Sequence, residues 1–200
     1  MKKLTWSFLL ACTAFSFASR SPSYELGDVV SNFSLKNVDG KTVSLADYKT
    51  SKGLIVIFDC NTCPYSKAYN DRIIDLDKRY ASLGFPVITI NANDPEDSPG
   101  DSFTQMISLA KKKNYKFPYL VDQTQEVAKS FGATNTPHVF ILKNEATNFI
   151  VAYIGTIDNN SRDASSVTRK YVEEAVDQLL ADKPVSTTKT KAIGCGIKWK

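Results

Sequence analysis

Cys60 and Cys63, in Phe58-Asp59-Cys60-Asn61-Thr62-Cys63-Pro64-Tyr65, are two thiols separated by two residues. Such a pair closes a small disulfide ring with little chain rearrangement, and it suits reversible exchange with other thiols and disulfides. The reacting species is the thiolate, and an ordinary thiol with a pKa of about 8.5 needs help to ionise at neutral pH. The apolar run Leu54 to Phe58 before the pair reads as a strand buried on both faces. The stretch after Pro64 reads as an amphipathic helix. The pair therefore falls at a strand-to-helix junction, where the first N–H groups of the helix favour negative charge on sulfur. Pro64 opens that helix without wasting a donor.

The remaining elements follow from periodicity and turn chemistry. Phe33 to Lys36 and Thr42 to Leu45 alternate around Asp39-Gly40, a hairpin signal. Tyr65, Tyr69, Ile73, Leu76, Tyr80 and Leu83 recur at helical spacing, and Gly84 ends the run. Pro86 to Asn91 reads as a second buried strand, and Asn93 to Gly100 as a loop. Phe103 to Ala110 has helical spacing. Tyr119 to Val121 is a short strand, and Gln125 to Phe131 a short helix closed by Gly132. Val139 to Leu142 and Phe149 to Ile154 form a hairpin across Asn144-Glu145, and Val167 to Leu180 is the closing helix. Strands alternating with helices, then an antiparallel pair, predict an α/β fold with a mixed central sheet flanked by helices.

Composition sets the limits around this core. A hydrophobic share of 42% and a charged share of 23% suit a globular chain. The formal net charge is +4, and removing Lys2 and Lys3 with a leader brings it closer to neutrality. No long basic stripe is present, so no nucleic-acid partner is expected. Met1-Lys2-Lys3, an apolar run to Phe17 and the small residues Ser16 and Ala18 predict a cleaved signal peptide over 1–18 and an exported, periplasmic or extracytoplasmic protein. Leu9-Leu10-Ala11-Cys12 offers a competing reading, a lipoprotein anchor at Cys12. Residues 19–27 read as a linker, 28–182 as one domain, and 183–200 as a flexible tail carrying Cys195 between two glycines. Of the 4 cysteines, Cys12 is lost or lipidated, which leaves one close pair and one further thiol.

The strand-Cys-x-x-Cys-Pro-helix junction, Thr136-Pro137 at the start of a later strand, and the terminal hairpin plus helix resemble the thioredoxin superfamily. The leading hairpin and the segment Asp122 to Gly132 are similar to its redoxin branch, the AhpC/TSA-like and peroxiredoxin-like proteins. The Gly194-Cys-Gly-Ile-Lys-Trp199 tail looks like a bacterial subgroup of that branch. The resemblance implies a thioredoxin-like fold with an N-terminal β-hairpin. It also implies a cis bond before Pro137 and backbone groups at Thr136 free to take a substrate strand.

Three functions remain open on these residues. The leading one is an exported thiol-disulfide oxidoreductase acting on protein thiols and disulfides or with a redox donor protein. In it Cys60 is the exposed nucleophile, Cys63 resolves, and Thr136 and Pro137 bind substrate. Leu54 stands where thioredoxins carry a carboxylate for proton transfer, which leaves Asp59 as the nearest such group. The second is a thiol peroxidase acting on hydroperoxides, in which Cys63 takes the peroxidatic position of Pro-x-x-x-Thr-x-x-Cys. Cys60 and Val56 then replace its Thr and Pro. The third is copper or zinc binding by Cys60, Cys63 and His138 or Cys195, or binding without turnover. Neither enzymatic reading calls for a cofactor. Cys195 is a candidate additional thiol, and Trp199 a candidate to fold back over apolar surface. His138 reads as a strand-start residue with a satisfied hydrogen bond, and Tyr65 and Tyr69 as packing residues.

Overall fold

A computed structural model of the chain describes residues 23–146 and 148–200. The leader expected over 1–18, Cys12 within it and the start of the linker lie outside the described residues. Strands β1 (Ser34–Asn37) and β2 (Thr42–Ser44) form the leading hairpin, with Gly40 at φ 85° in its turn. The order continues with β3 (Gly53–Phe58), α1 (Pro64–Tyr80), β4 (Val87–Asn91), α2 (Phe103–Lys113), β5 (Tyr119–Val121) and α3 (Glu126–Phe131). It closes with β6 (Asn135–Thr136), β7 (His138–Glu145), β8 (Asn148–Gly155), α4 (Tyr171–Leu180) and β9 (Cys195–Gly196). Among the described residues one 7-stranded sheet has the order β2-β1-β5-β4-β3-β7-β8. Strands β3, β4 and β5 are parallel neighbours and the other pairings antiparallel. The mixed α/β sheet with its N-terminal hairpin is thus present.

The uniformly apolar β3 is divided by the period-2 alternation of a strand. Leu54, Val56 and Phe58 enter one apolar cluster with Ala128 and Phe131 of α3. Ile55 and Ile57 enter a second, with Tyr69, Ile73 and Tyr80 of α1 and Val172 and Val176 of α4. Helices therefore cover both faces, and the central strand has no side chain in water. This fixes the end of β3, and with it the dithiol, at the rim of the sheet.

Several boundaries differ from those expected. Helix α1 stops at Tyr80, and Ala81–Leu83 tightens into a 3-10 turn before Gly84 at φ 99°. Leu83 is left exposed, and Tyr65 is only half-buried, while Tyr69 is fully buried. Helix α4 starts at Tyr171 rather than Val167, because Asn159 Oδ1 accepts from the N–H groups of Thr168 and Arg169 and keeps them out of the helix. The β7–β8 ladder runs on through Asn144↔Phe149 and Glu145↔Asn148, so the reversal falls after Asn144-Glu145, with Ala146 at φ 48°. The tail is a second correction. Residues 195–196 are a strand, paired antiparallel to β6, and were expected as flexible chain.

Gly53 opens β3 where a Cβ would lie 2.3 Å from the Leu142 carbonyl oxygen and 2.1 Å from the Phe85 ring. Neither the strand partner nor the buried ring can give way freely. Gly53→Ala is expected to lower stability by about 1–3 kcal/mol, read as a lower urea midpoint with an unchanged m-value. A midpoint equal to that of the wild type would refute this account of the β3–β7 packing.

Candidate active site

The dithiol sits between the end of β3 and the start of α1. Asp59 N–H donates to Ile90 O across the β3–β4 edge, and Cys63 is the N-cap of α1 with Pro64 in its first turn. The intervening Asn61 and Thr62 are held by one carboxylate that sequence reasoning did not single out. Asp101 Oδ1 accepts from Asn61 N–H at 2.6 Å and from Thr62 N–H at 3.3 Å. Its Oδ2 accepts from the Thr62 hydroxyl at 2.7 Å, Ser98 Oγ at 2.6 Å and Asn93 Nδ2 at 2.9 Å. Burial pushes this carboxyl up, but the donors Ser98, Asn93, Thr62 and Asn61 more than offset that and hold it below the ordinary range. In the sequence Asp101 is one of several acidic residues near a Pro- and Gly-containing loop, with no periodicity to mark it.

Cys60 and Cys63 are 1% and 2% exposed. Cys60 is therefore not the exposed thiol expected from sequence. Both sulfurs lie against Thr136, whose bond to Pro137 is cis. Cys60 Sγ is 3.1 Å from Thr136 Oγ1 and 3.8 Å from Ser66 Oγ, and the Cys63 thiol donates to Thr136 O at 3.1 Å. Cys195 joins them from the tail: its N–H donates to Cys63 Sγ at 3.3 Å. The structure thus brings together four of the five sequence-predicted site residues directly, and the fifth, Pro137, continues the chain from Thr136. All three described cysteines are free thiols.

The electrostatics separate the two sulfurs in the direction opposite to that expected. The thiol of Cys60 donates to Cys63, and this hydrogen bond is the main influence holding Cys63 below the ordinary thiol range. Burial works against it, while the Cys195 thiol and the N–H groups of Ser66 and Cys195 add to it. The single acceptor beside Cys63, Thr136 O, favours the neutral thiol but is outnumbered by these donors. Cys60 is pushed well above the usual range, first by its bond to Cys63, then by burial and by the neighbouring Asp59. The thiolate therefore belongs on Cys63, at the N-terminus of a 17-residue helix.

Asp59 is a second buried carboxyl with the opposite treatment. It is 1% exposed, and its Oδ1 has no hydrogen-bond partner among the protein atoms. Burial raises its pKa to about 7, against the lowering effect of the Ser66 hydroxyl and the Cys60 N–H. His138 is buried and accepts through Nδ1 from Thr134 N–H at 3.4 Å. Burial lowers its pKa to about 4, so it stands as a neutral strand-start residue. No group of three His, Cys, Asp or Glu side chains among the described residues is arranged to hold a metal ion. Trp199 remains exposed, and Ile197 is the tail residue that packs into the core.

This combination of sheet, helix-capping thiol and Thr-Pro partner is that of a thioredoxin-like redoxin. A model of the AhpC/TSA family matches residues 26–159, well over half of the chain, and the chain belongs to that family. Two solved structures superpose on most of it. An uncharacterized conserved protein from Geobacillus kaustophilus is 36% identical with a TM-score of 0.81, covering 88% of this chain and 93% of that one. A hypothetical protein from Sinorhizobium meliloti 1021 is 34% identical with a TM-score of 0.82, covering 89% and 96%. Among curated proteins, the thiol-disulfide oxidoreductase ResA of Bacillus thuringiensis subsp. konkukian is 23% identical over 146 residues, which is 68% of this chain and 78% of that protein.

The state of Asp59 sets a pH dependence. Its folded pKa of about 7 lies above the ordinary value of 3.8, so the fold binds this proton more tightly than the unfolded chain does. The resulting stability is fully present below the unfolded value and is lost as pH rises through about 7. Asp59→Asn should therefore be the more stable protein at pH 8, by up to roughly 4 kcal/mol, with the gap closing towards pH 4. Urea denaturation of both proteins across this range tests it, and a pH-independent gap would contradict the burial argument.

Proposed function

We propose that the protein is an exported thiol-disulfide oxidoreductase whose working couple is Cys60 and Cys63. The observation that carries this reading is the contact of both sulfurs with Thr136, with Cys63 stabilised as a thiolate by the donors around it. In the exchange, the Cys63 thiolate attacks one sulfur of a protein disulfide and forms a mixed disulfide, and the other substrate sulfur leaves as a thiolate. Cys60, after losing its proton, attacks Cys63 Sγ. The Cys60–Cys63 bond forms and the second substrate sulfur is released. Asp59, beside Cys60 and half-ionised near pH 7, takes the proton that Cys60 loses. The reverse sequence oxidises a substrate dithiol. The roles are thus interchanged relative to the sequence expectation, which made the upstream cysteine the nucleophile. Export rests on the leader-like first 18 residues, and the similarity to ResA supports the exchange chemistry.

One observation favours a second reading. The stabilised thiolate is Cys63, the residue that takes the peroxidatic position of a peroxiredoxin. Attack on a hydroperoxide would give a Cys63 sulfenic acid and release an alcohol or water, and Cys60 would then displace water to form the same disulfide. The absence of Pro and Thr at Val56 and Cys60 places this reading behind the first.

A redox titration of the mature protein, with alkylation and peptide mass as the readout, tests the couple. Cys60 and Cys63 are expected to interconvert together between dithiol and disulfide. Cys63→Ser should abolish exchange, whereas Cys60→Ser combined with Cys195→Ser, which removes both thiols beside Cys63, should trap a mixed disulfide at Cys63. A Cys63→Ser protein with full exchange activity would overturn the assignment. Rapid stoichiometric consumption of hydrogen peroxide with formation of the same disulfide would move the function to the peroxidase reading.

A further inference from the structure

The edge of β6 at Thr136, where the redoxin resemblance puts a substrate strand, is occupied by this chain's own C-terminus. Strand β9 pairs antiparallel with β6 in the register Asn135↔Gly196 and Thr136↔Cys195. The pairing extends on both sides, with Asn135 Nδ2 donating to Gly194 O at 3.0 Å and Ile197 N–H to Thr134 O at 3.1 Å. Beyond it Ile197 is 6% exposed in the main core. Lys198 is pinned by three bonds. Its N–H donates to Asn93 Oδ1, and its carbonyl accepts from Asp94 N–H and Gln125 Nε2. The register is set tightly at Gly194, where a Cβ would lie 2.1 Å from Thr136 O and 3.1 Å from Pro137 N. Only glycine lets the tail cross this carbonyl, and the crossing delivers Cys195 to Cys63.

We infer that the C-terminal strand is a built-in substrate, docked where an external protein strand would dock, and that Cys195 is a third redox thiol paired with Cys63. The inference rests on the exchange reading above. Cys63 is then the shared sulfur of two alternative disulfides. In the step between them, Cys195 as thiolate attacks Cys63 Sγ of the Cys60–Cys63 disulfide. The Cys60–Cys63 bond breaks and the Cys63–Cys195 bond forms. Cys60 leaves as a thiolate and takes up the proton that Cys195 gave up. One disulfide replaces another, with no net oxidation. The tail is the place where disulfide equivalents pass between the buried couple and the surface, and an external strand must displace β9 to reach Cys63 directly.

Tryptic cleavage suits the test, because Cys60 and Cys63 share the peptide 53–67 while Cys195 lies in 192–198. The wild type, Cys60→Ser and Cys60→Ser combined with Gly194→Ala are oxidised with oxidised glutathione, alkylated, digested and mass-mapped, with monomers isolated first. The expected result in Cys60→Ser is a cross-linked 53–67/192–198 pair carrying most of the oxidised protein, with little glutathione retained on Cys63. Adding Gly194→Ala should cut the cross-link roughly tenfold, since undocking the tail removes its high effective concentration, and leave glutathione on Cys63. Glutathionylated Cys63 beside a fully alkylated Cys195 in Cys60→Ser would overturn the inference. The wild type gives an arm that does not depend on the variants folding: partial oxidation should yield both the internally bridged 53–67 peptide and the cross-link. A bridged 53–67 peptide with no cross-link at any glutathione ratio removes only the third thiol. Absence of both species removes the exchange reading as well.

Discussion

Everything at the site depends on the position of one backbone residue, Thr136. Its hydroxyl meets Cys60, its carbonyl oxygen meets the Cys63 thiol, and its strand edge carries β9. A two-residue strand has little stability of its own. It is held because His138 and the rest of β7 continue directly into the central sheet beside β3. The same β3–β7 ladder that builds the core therefore sets the distance between Thr136 and the sulfurs. A shift of that ladder would move the threonine relative to the dithiol.

Two buried carboxylates stand on either side of this arrangement and show how the same group takes opposite roles. Asp101 is surrounded by six donor groups, Asn91 Nδ2 among them, and remains charged, so it serves as a rigid anchor for the Asn61-Thr62 turn. Asp59 lacks such a set and has one oxygen unpartnered, so burial makes its charge costly and brings its titration close to neutral pH. A carboxyl that is half-protonated at working pH can both give and receive a proton. Cys60, the thiol that most resists ionisation, lies next to it in the chain. In thioredoxins the equivalent group is reached from a different point on the strand, and here that point is filled by Leu54 as part of the core.

The tail changes how access to the couple is understood. A 410 Å³ cleft lined by Arg72, Ile157 and Lys170 lies beside α1 and α4 and takes in neither sulfur. Both sulfurs are covered, and what covers Cys63 is in part the chain's own last strand. A buried thiolate is protected from irreversible oxidation and from adventitious reaction, and its reactivity then depends on how readily β9 lifts. The contacts of Ile197 and Lys198 resist that motion, while the short β6–β9 ladder itself adds little.

The amino-acid sequence by itself determined the parts of this protein that rest on local rules. The hairpin at Asp39-Gly40, the buried run of β3, the helix opened by Pro64 and the Cys-x-x-Cys spacing are all set by turn chemistry, periodicity and covalent distance. The motif Thr136-Pro137 was legible through family resemblance, since nothing local relates it to a dithiol more than seventy residues away. Only the tertiary structure decided which sulfur carries the thiolate, because that depends on donors from Ser66, Cys195 and Cys60 converging in space. It also decided the role of Asp101, one carboxylate among many until the loop folds over Asn61. The tail from Ser186 is polar and carries glycines on both sides of Cys195, so local propensity reads it as unstructured. Its order comes from a sheet edge, a buried isoleucine and a carbonyl that leaves no space for a Cβ, and those contacts exist only after the remainder of the chain has folded.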